Sequence, residues 1–122
     1  IKILNNKIRL HGIDAPEKNQ TCVRNKKVYN CGTIATKTLI KKIGKNKVKC
    51  LTQKNKDRYN RFIGVCFVKK DNLNKWMVRN GYAVAYKRYS KDYVLDEEFA
   101  KTNKLGLWSG TFLKPEKWRK LK

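Results

Sequence analysis

The sequence predicts one folded domain of the α+β class. Its 122 residues suit a single core, and apolar residues make up 40% of the chain and are spread along its whole length. Short segments with alternating apolar residues are interspersed with segments of helical period. We therefore expect a single domain over residues 1–122, with about five short strands and three helices.

Two hairpins and one further strand account for the predicted sheet. In the first hairpin, Ile8 and Leu10 face one side, whereas Arg9 and His11 face the other. A hairpin-rich sheet of this size readily curls into a small barrel, of which the OB type is one option. The predicted strands are Ile1–Leu4 and Ile8–Ile13 around an Asn-rich turn, Lys47–Leu51 and Phe62–Val68 around Asn55–Asn60, and Tyr82–Tyr86.

Helix capping residues and periodicity predict three helices. The first is capped by Thr33, runs to Ile43 with Ala35, Leu39 and Ile43 on one face and Ile40 beside them, and ends at Gly44. A short second helix follows Asn72, and a third covers residues 92–105. Residues 14–32 are expected to form an irregular loop, and residues 107–122 an irregular tail.

The charge balance indicates a polyanionic partner. The chain has 31 Lys and Arg against nine Asp and Glu, for a net charge of +22. Nucleic acid is the first candidate, because binding it releases counterions from neutralised phosphates. An anionic membrane surface is the second, although no amphipathic basic helix with a broad apolar face is evident and no segment is long enough to span a bilayer. No stable protein partner is indicated, and we expect a monomer.

Four cysteines favour an oxidising compartment. An even number of cysteines in a small domain indicates two disulfides. A Cys22–Cys31 bond would close the predicted loop, and a symmetric second hairpin would place Cys50 opposite Cys66. Reduced buried cysteines remain an alternative, whereas a zinc site is disfavoured by the spacing and the single histidine.

Two acids and two arginines are candidates for chemistry. Asp14 and Glu17 lie where a strand gives way to a loop, and their carboxylates could hold a hard cation such as Ca²⁺. Ordinary turn chemistry beside a proline explains Asp14 equally well. Arg9 and Arg61 have the fork geometry that suits phosphate, although a structural Arg9 or a solvated Arg61 is the competing interpretation.

These residues belong to segments that resemble a known family. Residues 8–17, Ile-Arg-Leu-His-Gly-Ile-Asp-Ala-Pro-Glu, resemble a signature of the staphylococcal nuclease-like (thermonuclease) family. Asp57-Arg58-Tyr59-Asn60-Arg61 resembles its second signature. Residues 77–83 and 106–109 resemble its third region. The segments occur in the family's order and together cover nearly the whole chain.

The resemblance implies a five-stranded OB-fold barrel with about three helices and calcium-dependent cleavage of DNA and RNA. It assigns the scissile phosphate to Arg9 and Arg61, and the attacking water to Glu17. Asp14 and the carbonyl of Ala15 would bind Ca²⁺. Arg58, Tyr59 and Tyr86 would contact the nucleotide.

One departure from the family pattern concerns a further metal ligand. The family has an Asp-Gly-Asp-Thr segment in the first strand, before the position of Ile1. We expect this domain to lack the segment, and the alternative is that the parent protein carries it upstream of Ile1. A non-catalytic nucleic-acid-binding module of the same fold is therefore the alternative to an active nuclease. The resemblance and the paired cysteines imply a secreted or periplasmic protein.

Overall fold

A mixed five-stranded sheet forms the framework of the protein. The computed structural model describes residues 2–3 and 6–121, and the side chains of 7–121. In chain order, the strands are β1 (Lys2–Ile3), β2 (Asn6–Leu10), β3 (Ile13–Asp14), β4 (Cys22–Arg24), β5 (Lys27–Tyr29), β6 (Val48–Thr52), β7 (Phe62–Val68), β8 (Asp71–Asn72) and β9 (Val84–Ala85). The helices are α1 (Cys31–Ile43), α2 (Leu73–Arg79), α3 (Val94–Thr102), a 3₁₀ turn (Gly106–Ser109) and α4 (Pro115–Lys120).

The central strand of this sheet is β7. It pairs parallel with β2 and antiparallel with β6 and β8, while β1 pairs antiparallel with β2. Two shorter ladders, β3–β9 and β4–β5, lie outside this sheet. The α+β class is confirmed. Within residues 2–3 and 6–121, however, the ladders do not close into a barrel. These described residues form nine short strands rather than about five, and four α-helices rather than about three.

Gly12 divides the predicted strand Ile8–Ile13 into two parts. Its φ of +78° is a conformation that glycine adopts without strain, and it turns the chain out of the sheet after His11. Ile13 and Asp14 then pair with β9 instead of continuing along β7. The expected strand is therefore two strands, and this break directs Asp14 away from the ladder that holds Arg9.

The predicted loop over residues 14–32 contains a hairpin. Asn25 and Lys26 have φ values of 53° and 64°, the backbone that a two-residue turn between twisted strands requires. The hairpin is attached to the tail by two hydrogen bonds between Val23 and Thr111. The turn at Asn25 and Lys26 thus forms a hairpin although the flanking segments have no strong strand pattern.

Helix boundaries differ from the predictions at several ends. Helix α1 begins at Cys31 rather than Thr33, because the Cys22–Cys31 disulfide and the packing of Gly32 fix its first turn. Ile40 is 63% exposed rather than on the buried face. The tail is not irregular, since Pro115 starts α4 at a position where its missing N–H is harmless. Helix α3 is shorter than predicted, and Tyr82–Tyr86 contributes only β9.

Other predictions are confirmed. Strand β7 has the predicted bounds, and the Asn72 side chain caps α2 by accepting from the backbone N–H of Lys75. Cys50 faces Cys66 in the register of β6 and β7, and both disulfides form as expected. The bonds favour an oxidising compartment. No helix among the described residues is long and apolar enough to cross a membrane.

Apolar side chains form two clusters. The larger lies between the sheet and helices α1 and α2, and includes Ile8, Leu10, Leu73 and Val78. The smaller surrounds the Cys22–Cys31 disulfide together with Val84 and Leu107. The disulfide bonds the hairpin to the start of α1, and both cysteines pack against the strand that precedes Tyr86.

We expect removal of the Cys22–Cys31 disulfide to lower stability measurably. Replacing both cysteines by alanine releases a constraint on the unfolded chain, and a loop of this size is worth about 2–3 kcal/mol in the chain-entropy model. Urea unfolding followed by circular dichroism checks this. An unchanged unfolding midpoint in the double variant would show that the bond does not constrain the fold.

Candidate phosphate and cation site

The candidate site lies where β2, β3 and the residues next to β7 and β9 come together. Arg9 pairs with Ile63 in the ladder between β2 and β7. Arg61 precedes Ile63 by two residues, and strand alternation therefore places Arg9 and Arg61 on one face. Tyr86 follows β9, and its backbone N–H donates to the carbonyl of Gly12, 2.8 Å away. The fold thus brings the start and the middle of the chain together.

Asp14 is the buried acid of this site. Its residue exposure is 3%, and both of its carboxylate oxygens accept hydrogen bonds from Arg119, at 2.9 and 3.0 Å. Nη2 of Arg9 lies 3.9 Å from the same carboxylate. Burying a carboxylate is unfavourable unless it is paired and hydrogen-bonded, and these two guanidiniums meet that requirement.

Glu17 lies beside Asp14 but is more accessible. Its side chain is 38% exposed, and Oε1 is 3.5 Å from Nη1 of Arg119. The same nitrogen donates to Asp14, so the two carboxylates, which we call the acid pair, converge on one positive atom. A partly exposed carboxylate next to buried charges is accessible to a water molecule or a substrate.

The backbone of the Glu17 loop is held by Gln20 and Gly32. The fully buried Gln20 side chain accepts from the backbone N–H of Glu17 and donates to the carbonyl of Leu113. At Gly32, an added Cβ would lie 1.8 Å from the carbonyl oxygen of Glu17, so only glycine permits this approach of α1. Neither residue was predicted, because the contacts that bury them join residues far apart in sequence.

Arg9 is a half-buried cation with several charged neighbours. Burial lowers the pKa of its guanidinium, Asp14 raises it, and the positive charges of Arg61 and Arg119 lower it again. An arginine nevertheless stays protonated in proteins. The positive charges of Arg61 and Arg119 therefore both act on Arg9.

Tyr86 borders the same cluster. The Arg9 guanidinium lies 5.8 Å from the centre of its ring. Burial raises the pKa of Tyr86, and Glu116 and Asp14 raise it further. The phenol therefore remains protonated at neutral pH and can donate a hydrogen bond. Glu97 fixes the strand before it by accepting from the backbone N–H of Ala85.

Arg61 is oriented by Asp57. The carboxylate of Asp57 accepts from the backbone N–H groups of Tyr59 and Arg61 and from Nε of Arg61, each at 2.9 Å. The Tyr59 ring lies 5.3 Å from the Arg61 guanidinium, and its hydroxyl accepts from Arg58. Arg58 and Tyr59 are exposed and group with Arg61 at the tip of the β6–β7 hairpin.

The predicted site residues are thus gathered in two connected groups. Arg9, Asp14, Glu17 and Tyr86 lie in one group, and Arg61 links it electrostatically to Arg58 and Tyr59. Ala15 follows Asp14 and packs against the larger apolar cluster, while the proposed role of its carbonyl stays a prediction.

Arg119 was not predicted as a site residue, because the tail was expected to be irregular. Within the part of the chain described here, no group of three His, Cys, Asp or Glu residues could hold a metal.

The charges of the site suit a phosphate group, because arginine forks match phosphate oxygens and a strongly basic domain attracts polyanions. The model of the staphylococcal nuclease homologues matches residues 7–110, and the chain belongs to that family.

Relatives support the same assignment. The chain is 38% identical over 117 residues to a Haemophilus influenzae protein called an uncharacterized endonuclease, covering 93% of the chain and 60% of that protein. It is 30% identical to the succinoglycan biosynthesis protein ExoI of Rhizobium meliloti, covering 88% and 58%. It is 33% identical to the micrococcal nuclease of Shigella flexneri, covering 93% and 68%. The chain thus spans about 60% of the length of the first two relatives.

The hydrogen bonds to Asp57 predict a low titration midpoint. Desolvation raises the pKa of Asp57, but hydrogen bonds from the Arg61 and Tyr59 backbones and from the Arg61 side chain outweigh it, and the net pKa is lowered. A lowered folded-state pKa stabilises the fold above the unfolded value of about 3.9, and this stability is lost as the pH falls through the folded value.

Carbon-detected NMR of the Asp57 carboxyl measures this directly. We expect a midpoint below that of a model aspartate, and we expect Asp57→Asn to remove this residue's share of the acid destabilisation. A short unstructured peptide that contains Asp57 serves as the reference carboxyl. A midpoint for Asp57 at or above the model value would contradict the hydrogen-bonded arrangement.

Proposed function

We propose that this protein is a nuclease that hydrolyses phosphodiester bonds in DNA and RNA. The observation that carries the proposal is that the fold brings Arg9, the buried Asp14 and the accessible Glu17 together. Family membership and relatives named as nucleases support the same conclusion. The barrel of the OB type implied by the resemblance belongs to the proposal as well.

The arginines would act on the phosphate. Hydrolysis increases the negative charge on the equatorial oxygens in the transition state, and guanidiniums aimed there stabilise it more than the ground state. Arg9 is restrained by Asp14 and β2, and Arg61 by Asp57. Restrained donors need little reorganisation during the reaction, which is the source of their catalytic effect.

Glu17 is the proposed base. General bases must reach the attacking water, and Glu17 is the accessible member of the acid pair, because Asp14 is buried. The backbone of Glu17 is fixed by Gln20 and α1, so its carboxylate starts from a defined position. Tyr86, Tyr59 and Arg58 would contact the nucleotide by stacking or by hydrogen bonds to phosphate.

A divalent cation fits the acid pair by chemistry. Two carboxylates already share one positive atom, the Arg119 nitrogen, and the carbonyl of Ala15 is one peptide away from Asp14. Oxygen donors of this kind suit Ca²⁺, and we propose Ca²⁺ as the cofactor with Asp14 and Ala15 as its ligands. A bound cation would lower the pKa of a coordinated water and help neutralise the phosphate.

The two disulfides support export from the cytosol. Disulfides persist in secreted and periplasmic proteins, and a secreted or periplasmic location is part of this proposal. We also propose that the protein acts as a monomer on nucleic acid, without a membrane or a stable protein partner.

Replacing Glu17 tests the proposed reaction. We expect Glu17→Gln to lower the rate of plasmid and RNA digestion in Ca²⁺ by about 10²–10⁴-fold, the usual effect of losing a general base. Chelator should abolish cleavage by the unmodified protein. Glu98→Gln, on the exposed face of α3, is the matched control and should cleave normally. Full activity of Glu17→Gln, or cleavage insensitive to chelator, would refute the mechanism.

A nucleic-acid-binding module without catalysis is the second candidate function. Arg119 donates hydrogen bonds to both carboxylate oxygens of Asp14. This observation favours the binding module, because a cation at Asp14 would have to displace those hydrogen bonds. Both candidates predict binding that weakens with salt, with a slope of about −0.7 to −0.9 per neutralised phosphate.

Binding and cleavage measured together separate the two candidates. We expect Arg61→Gln to reduce the salt slope by about one and to lower affinity similarly for all sequences. Fluorescence anisotropy with a labelled oligonucleotide in chelator gives the slope. Salt-sensitive binding with no cleavage in Ca²⁺ would favour the binding module. A salt slope unchanged by Arg61→Gln would remove Arg61 from the phosphate site.

A further inference from the structure

Arg119 lies outside the segment that the family model matches. It belongs to α4, whereas the match ends at residue 110. Two contacts hold this tail against the site: Gln20 donates to the carbonyl of Leu113, and Arg88 pairs with Glu116. The tail therefore presents Arg119 to the acid pair through contacts that the family resemblance does not predict.

Arg119 contacts the carboxylate that is proposed to bind the cation. Its fork covers both oxygens of Asp14, and Nη1 is also 3.5 Å from Glu17. The hydrogen bonds to Asp14 raise the pKa of Arg119 above its ordinary value. Arg119 thus places a positive charge on the carboxylate that would bind the metal ion.

We propose that Arg119 competes with the divalent cation for the carboxylate of Asp14, and so sets the cation affinity of the site. This inference rests on the proposed function. Two positive groups on the same oxygens repel each other, and Arg9 and Arg61 already add positive charge nearby. Cation binding therefore requires Arg119 to leave the acid pair.

The surroundings of Arg119 allow this movement. Its side chain is 36% exposed, so it can exchange Asp14 for water. A cavity of about 310 Å³ lies alongside, lined by Glu17, Lys18, Asn19, Trp118 and Arg119 itself. Asp14, in contrast, is buried and needs a positive partner at all times. Arg119 supplies that partner before the cation does.

Calcium titration of Arg119→Gln tests the competition. Glutamine keeps much of the side-chain length but removes the charge, and we expect the Kd for Ca²⁺ to fall about tenfold, since a hydrogen-bonded ion pair is no longer displaced. Isothermal titration calorimetry at constant ionic strength, without nucleic acid, measures this. Lys117→Gln, an exposed residue of the same helix, controls for net charge and should change the Kd less than about twofold.

Thermal unfolding provides a second readout. In chelator, Arg119→Gln should unfold at a lower temperature than the unmodified protein, because Asp14 loses its main partner. Saturating Ca²⁺ should raise the midpoint of the variant more than that of the unmodified protein. If Arg119→Gln does not fold, Arg119→Lys serves as a second variant. Lysine retains the charge without the fork, and we expect this variant to bind Ca²⁺ more tightly than the unmodified protein.

The outcomes separate this inference from the nuclease proposal. Unchanged or weaker Ca²⁺ binding by Arg119→Gln would overturn the competition and make Arg119 a residue that positions Asp14. Absence of Ca²⁺ binding in every variant would overturn it too. Tighter Ca²⁺ binding by Arg119→Gln would support the competition even if the unmodified protein cleaved no nucleic acid. The absence of cleavage would reject only the nuclease proposal.

Discussion

The buried charge of Asp14 is the constraint on which the site depends. A carboxylate at 3% exposure loses several kcal/mol of hydration and must regain it from partners. Those partners come from β2 and α4, and Arg119 is 105 residues from Asp14 in sequence. Satisfying one buried charge therefore ties together the beginning and the end of the described chain. Loss of either guanidinium would leave that charge underpaired.

Neighbouring segments are held by buried polar groups rather than by apolar packing alone. Gln20 connects the Glu17 loop with the tail, and Asn74 joins Cys66, His11 and Gly64 by side-chain hydrogen bonds. Each buried amide has its partners, a condition for such groups to stabilise a fold. The backbone around the site is thereby restrained, while Glu17, Arg58 and Tyr59 stay accessible to solvent.

Elements with strong local signals were predictable. Strand β7 has an apolar run between turn residues, and α2 has an asparagine cap. The hairpin of β4 and β5 and helix α4 were missed, although Asn25 and Pro115 carried their signals. In both cases the local pattern was short and charged, so periodicity gave no indication. The expected closed barrel was not found in the described residues, where the β3–β9 and β4–β5 ladders stay separate from the main sheet.

The sequence alone determined the composition of the site. It supplied arginines, carboxylates and tyrosines in the order of a known family, on a chain whose net charge of +22 favours a polyanion. Only the tertiary structure decided which charges pair. Arg119 reaches Asp14 because α4 docks on the site, and docking depends on contacts between residues far apart in sequence. Local patterns report periodicity and turns, and they carry no record of such distant pairing.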